Sequence, residues 1–132
     1  MLLMKLESSQ KFAFLQLAHY LARADGFYVE AEEHIILEYC TEMGVENSDI
    51  FDLNDFDLEY TLGKFKSKKS QKIVVLELMI LVHSDNHFDI KEVDLLAKIM
   101  DSFEMNYDEI KHFSSWGKAV SALHEQALNL ID

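Results

Sequence analysis

The sequence predicts an all-α fold, a compact bundle of about seven helices that includes two helical hairpins related by a pseudo-twofold axis. Three observations carry this expectation. The 132 residues contain no proline and only four glycines, at 26, 44, 63 and 117, so helix breakers are sparse and widely spaced. Apolar residues recur at three- and four-residue spacing along most of the intervening segments, the period of an amphipathic helix. Finally, the chain resembles itself when displaced by sixty residues, with LARADGFYVEAEEHII (21–36) falling over LVHSDNHFDIKEVDLL (81–96).

Taken in order, Phe14, Leu17, Ala18, Leu21 and Ala24 place a first helix over Ser9 to Ala24, which Asp25 and Gly26 stop. A second stripe, Ile35, Ile36, Tyr39, Cys40 and Met43, runs from Glu30 to Gly44, and Glu30, Glu32 and Glu33 favour its N-terminus electrostatically. The acidic stretch 45–63 reads as short helices with Ser48 or Asn54 as N-cap. Residues 70–84 are apolar on nearly every face. Periodicity leaves helix and buried strand open there, and length, Leu, Met and Glu content and the repeat favour a central helix. Asp89 to Phe103 presents Val93, Leu96, Ala97, Met100 and Phe103 on one face and opens with a capping box of Asp89 and Glu92. A short helix over 107–113 and a last one over 115–131, with Trp116, Val120, Leu123, Ala127 and Ile131 as its stripe, complete the set.

Composition narrows the function. At 49% apolar and 27% charged the chain is one globular domain, 1–132, long enough to bury roughly two-thirds of its unfolded surface. The single cysteine excludes an internal disulfide and fits a cytoplasmic location. A net charge of −12 argues against nucleic acid and for cations or basic protein surfaces. The longest strongly apolar run, IVVLELMILV, is half of the roughly 20 residues a membrane span needs and contains Glu77, and the start of the chain does not read as a secretory signal.

The two copies of the repeat match in chemistry as well as in pattern. Asp25 falls on Asp85, Tyr28 on Phe88, Glu32 on Glu92 and Ile36 on Leu96, so each copy is an apolar helix, an Asp at its end, an aromatic turn and a Glu opening the next helix. This duplicated pattern, from about Leu17 to Phe103, resembles the tellurite-resistance TerB-like family. The resemblance implies a small all-helical stress-response accessory, not an enzyme. It also implies divalent-metal binding through Asp25, Glu32, Asp85 and Glu92, and partners in a tellurite-resistance set that include membrane-bound proteins. The second copy departs from the pattern with Asn86 in place of Gly26 and with His83 and His87 flanking its Asp. Those imidazoles are additional ligand candidates that would shift preference from Mg2+ or Ca2+ towards Zn2+ or Ni2+.

The residues themselves leave two readings open. Four converging carboxylates would hold a hard cation; alternatively each Glu satisfies first-turn N–H groups and each Asp ends a helix, leaving an acidic protein-interaction module or a co-chaperone-like adaptor without metal. An EF-hand is excluded, since from Asp85 the sixth and twelfth positions are Ile90 and Leu96 where Gly and Glu are required. His19, His34, His112 and His124 show no pairing and are expected at the surface or boundary. Cys40, on an apolar stripe, is expected to be a buried structural thiol. No nucleophile elbow or Gly-rich phosphate loop occurs. Lys64, Lys66, Lys68, Lys69 and Lys72 polarise the molecule against residues 1–60, with thirteen acidic and three basic groups, and read first as a solvated connection with a helix start at Ser67 or Ser70.

Overall fold

A computed structural model describes residues 1–24, 30–47, 51–84 and 90–132, with only the backbone described at Ala31. Six α-helices and one 3₁₀ turn account for the regular structure of these residues, with no strand among them. The predicted all-α class is therefore observed, with one helix fewer than expected. None of the helices is long and apolar enough to cross a membrane.

Local chemistry explains where each helix begins and ends. After the 3₁₀ turn Leu3–Lys5, α1 (Ser8–Ala22) starts at a capping box in which Glu7 and Gln10 exchange side-chain and backbone hydrogen bonds. Helix α2 (Glu30–Met43) closes in a Schellman turn. Gly44 sits at φ +69°, its N–H donates to the Thr41 carbonyl, and the Val45 N–H reaches back to Cys40. The acidic stretch yields one short helix, α3 (Leu58–Leu62), capped by Asp57 accepting from the Tyr60 N–H at 3.1 Å. The expected cap Asn54 instead donates its N–H to Asp52 in a turn, and Ser48 lies outside the described residues. Ser67 caps α4 (Lys68–His83) by accepting from the Ser70 N–H. Helix α5 (Ile90–Ser102) ends as α2 does, with Glu104 at φ 57° in the position of Gly44, its N–H donating to Asp101 and that of Met105 to Met100. The expected cap Asp89 lies outside the described residues.

Asn106 and Glu109 form the capping box of α6, which runs unbroken from Tyr107 to Ile131. Two helices were expected here, over 107–113 and 115–131, divided at Ser114. The glycine is there for packing. A Cβ on Gly117 would lie 2.5 Å from the Met79 Cβ and 3.0 Å from its carbonyl carbon, so the missing side chain lets α6 cross α4 at backbone contact. The Ser121 hydroxyl donates to the Ile80 carbonyl across the same crossing.

The core is organised around α4, whose buried residues run from Ser70 and Ile73 almost continuously to His83. Helices α1, α5 and α6 and the 3₁₀ turn pack on it, while α1 also packs on α2, α3 and α5. Two predicted stripes are corrected. On α5 the buried face is Glu92, Leu96, Ile99 and Met100, and Ala97 is exposed. On α6, Gly117 is the only fully buried residue, Ile110, Phe113, Trp116 and Val120 are half-buried, and Leu123, Ala127 and Ile131 are exposed.

The sixty-residue offset survives in three dimensions as a register. Helices α1 and α4 start at 8 and 68, α2 and α5 at 30 and 90, and the paired left-handed C-termini fall at 44 and 104. Buried positions correspond as well, including Gln10 with Ser70, Glu32 with Glu92 and Met43 with Phe103.

Two substitutions test this account in opposite directions. Gly117→Ala should lower stability by about 1–3 kcal/mol through overpacking against Met79, although alanine is intrinsically the better helix former by about 1 kcal/mol. Glu104→Gly should raise stability by about 0.5–1 kcal/mol by relieving a left-handed residue whose side chain is exposed. Urea-unfolding midpoints of both variants against the parent decide the matter, and a gain for the first or a loss for the second contradicts it.

Candidate functional site

The predicted ligand set is described only in part. Glu32 and Glu92 occupy equivalent positions in the first turns of α2 and α5, and both are buried, at 2% and 4% exposure. Neither carboxylate is without a partner. Asp25, Asp85 and His87 lie outside the described residues. His83 ends α4 with its Nε2 3.4 Å from the Ser114 hydroxyl of α6. Burial first, and the neighbouring Lys118 charge second, push its pKa below the ordinary 6.5, so the ring is neutral near pH 7 and retains a nitrogen lone pair. Among the described residues, no three His, Cys, Asp or Glu side chains gather into a group that could hold an ion. What the described donors offer is hard carboxylate oxygen at Glu32 and Glu92 and neutral imidazole at His83. The first suits Mg2+ or Ca2+, the second Zn2+.

The other histidines divide differently from expectation. His19 is a core residue, not a surface one. Its Nε2 lies 3.0 Å from Asn47 Oδ1, and its ring stacks on Phe51 at 5.8 Å. His34 and His112 are exposed as expected, while His124 pairs with Glu38 at 3.8 Å. Cys40 is buried, and desolvation raises its thiol pKa, which disfavours the reactive thiolate. The lysine-rich connection is partly tied down. Lys68 donates to the Phe103 carbonyl at 2.6 Å and so caps the end of α5, Lys72 pairs with Glu109 at 3.7 Å, Lys64 lies over the Tyr60 ring, and Phe65 is buried between them in sequence.

A second group of acidic side chains surrounds a residue that periodicity did not single out. Glu77, in the middle of α4, is 1% exposed. Its carboxylate accepts from the Leu2 N–H at 2.8 Å and lies 3.3 Å from the Met1 ammonium, which also pairs with Glu42. Glu42 accepts from the Leu3 N–H at 3.1 Å, and the buried Tyr39 hydroxyl donates to the Glu77 carbonyl at 2.6 Å. Burial alone would lower the ammonium pKa. The Glu42 hydrogen bond and the charges of Glu77 and Glu42 outweigh it and raise that pKa above 8.0. The signal in the sequence was a lone carboxylate in a ten-residue apolar run. These groups border a cleft of about 460 Å³ between α2, α4 and α6.

Comparison with protein-family models, with curated proteins and with solved structures gives no match to this chain.

The depressed pKa of His83 makes a pH prediction whose sign is fixed. The unfolded chain takes up a proton near pH 6.5, the folded chain only at lower pH, so His83 favours folding fully above that range and progressively less as the pH falls through it. Unfolding midpoints at several pH values between 7.5 and 5 should decline, and His83→Gln should flatten part of that decline; an unchanged slope would contradict the assignment.

Proposed function

We propose that this chain is a TerB-like, non-enzymatic accessory domain of a stress response, and that Asp25, Glu32, Asp85 and Glu92 hold one divalent cation between two hairpins related by a pseudo-twofold axis. One observation supports the reading above the rest: Glu32 and Glu92, sixty residues apart, are both withdrawn from solvent in the same turn of corresponding helices. Carboxylates are among the groups least often buried, and keeping two of them buried in register calls for positive charge or strong N–H donors at both. His83 and His87 are the candidates for additional ligands, and their imidazoles would turn the preference from Mg2+ or Ca2+ towards Zn2+. In this reading ion occupancy sets how the hairpins pack and thereby how the domain meets a protein partner, membrane-associated in the tellurite-resistance setting.

A second reading, a metal-free acidic interaction module, has its own support. Helix α2 carries five glutamates and no lysine or arginine, and two of those glutamates border the cleft.

Thermal unfolding of chelator-treated protein against Mg2+, Ca2+, Mn2+ and Zn2+ separates the two. A bound cation should stabilise the parent by about 2.7 kcal/mol at a hundredfold excess over its Kd, and Asp25→Asn with Asp85→Asn should abolish that increment. If no ion moves the transition, or if the double variant loses the same stability with and without metal, the carboxylates serve as caps and the metal reading is wrong.

A further inference from the structure

We propose that the cleft between α2, α4 and α6 is a docking groove for a basic amphipathic helix of a partner protein, which would seat apolar side chains on the floor and Lys or Arg against the acidic border. The proposal deepens the interaction-module reading and does not depend on the metal reading. Ile35, Ile80, Val120 and Leu128 supply apolar wall, while Glu38 and Glu125 stand at solvent-accessible positions on opposite helices. Charge chemistry of this kind is already satisfied once within the molecule, where an ammonium rests on Glu42 and Glu77.

The repeat supplies a comparison internal to the chain. Displaced by sixty residues, Ile35, Ile80 and Ser84 become Leu95, Tyr20 and Ala24, which border a second cleft of about 380 Å³. In that displacement Glu38, Glu42 and Glu77 become Lys98, Ser102 and Leu17. The acidic border is thus absent from the corresponding positions and is not inherited from the shared helical pattern.

Shape and charge also select the occupant. Leu128, about half exposed, and the exposed Ile131, three residues on along the same side of α6, extend the apolar wall along the helix axis, an elongated surface suited to a helix more than to a small amine. A second copy of this chain is disfavoured, because each copy carries a net charge of −12 and two of its clustered lysines are already engaged with Phe103 and Glu109.

The test uses a Leu/Lys amphipathic peptide of about four helical turns, with a Leu/Glu peptide of equal length as control. Fluorescence anisotropy should show binding of the first and not the second, and amide shift changes should map to Ile35, Ile80, Val120 and Leu128. Glu38→Lys with Glu125→Lys should weaken binding about tenfold, whereas Glu59→Lys with Glu104→Lys, the same charge change at exposed sites elsewhere, should leave it nearly unchanged. Val120→Trp, which fills the cleft without altering charge, should weaken it too; circular dichroism confirms that each variant is folded. Equal losses from both charge reversals, or shift changes outside the cleft, overturn the groove while leaving an acidic interaction module standing. No binding of the Leu/Lys peptide at all overturns both. A concentration-dependent dimer in sedimentation that the cleft substitutions dissociate would make a second copy the occupant and overturn the proposed partner.

Discussion

The constraint on which the fold depends is that α4 carries no exposed residue from Ile73 to His83. A helix buried almost continuously from Ile73 to His83 must be covered all round, and the neighbours that cover it are α1, α5, α6 and the 3₁₀ turn, with Tyr39 of α2 reaching its backbone. Covering a helix on several sides brings neighbours into competition for space. At the α4 and α6 crossing this is resolved by removing a side chain altogether, at Gly117.

That burial makes Glu77 the most demanding residue in the molecule. A carboxylate in an apolar interior is tolerated only with donors around it, and here they come from the first two residues, through the Leu2 N–H and the Met1 ammonium. The consequence is structural as well as electrostatic. Leu3 and Leu6 are drawn into the core, and Met1, in a segment for which no periodicity could be read, becomes part of the wall of the cleft.

Periodicity made the helices legible and left their partners obscure. The bounds of α2 and the central position of α4 could be read because apolar spacing and the glycine at 44 report directly on local geometry. The fusion of 107–131 into one helix could not, because the packing that holds it, where α6 crosses α4 and Gly117 meets Met79, is a contact distant in sequence. Ile99 displaced Ala97 from the buried face of α5 because the helix is rotated towards α1 and α4, information that resides in the tertiary packing. His19 was misplaced at the surface because its partners, Asn47 and Phe51, lie beyond helical spacing. Of the predicted ligand set, the withdrawal of Glu32 and Glu92 from solvent is new information that spacing alone never contained.

The repeat separates what the two halves share from what only one of them has. Shared features, the buried first-turn glutamates and the left-handed helix ends, follow the common helical plan and include the carboxylates through which a cation would be held. Features present once, Glu38, Glu42 and Glu77, are additions to that plan and cluster on a single cleft. The two sets are also distant along α2. Glu32 and Glu42 are ten residues apart, about 15 Å along a helix axis, beyond the Debye length at physiological ionic strength. Charge held at one end of α2 is therefore largely screened from charge at the other wherever solvent reaches it, and coupling between an ion at Glu32 and a partner at Glu42 would have to pass through the packing of α2 on α1. The two proposals, an ion at Glu32 and a basic partner at Glu42, therefore concern separate ends of one helix and stand or fall independently.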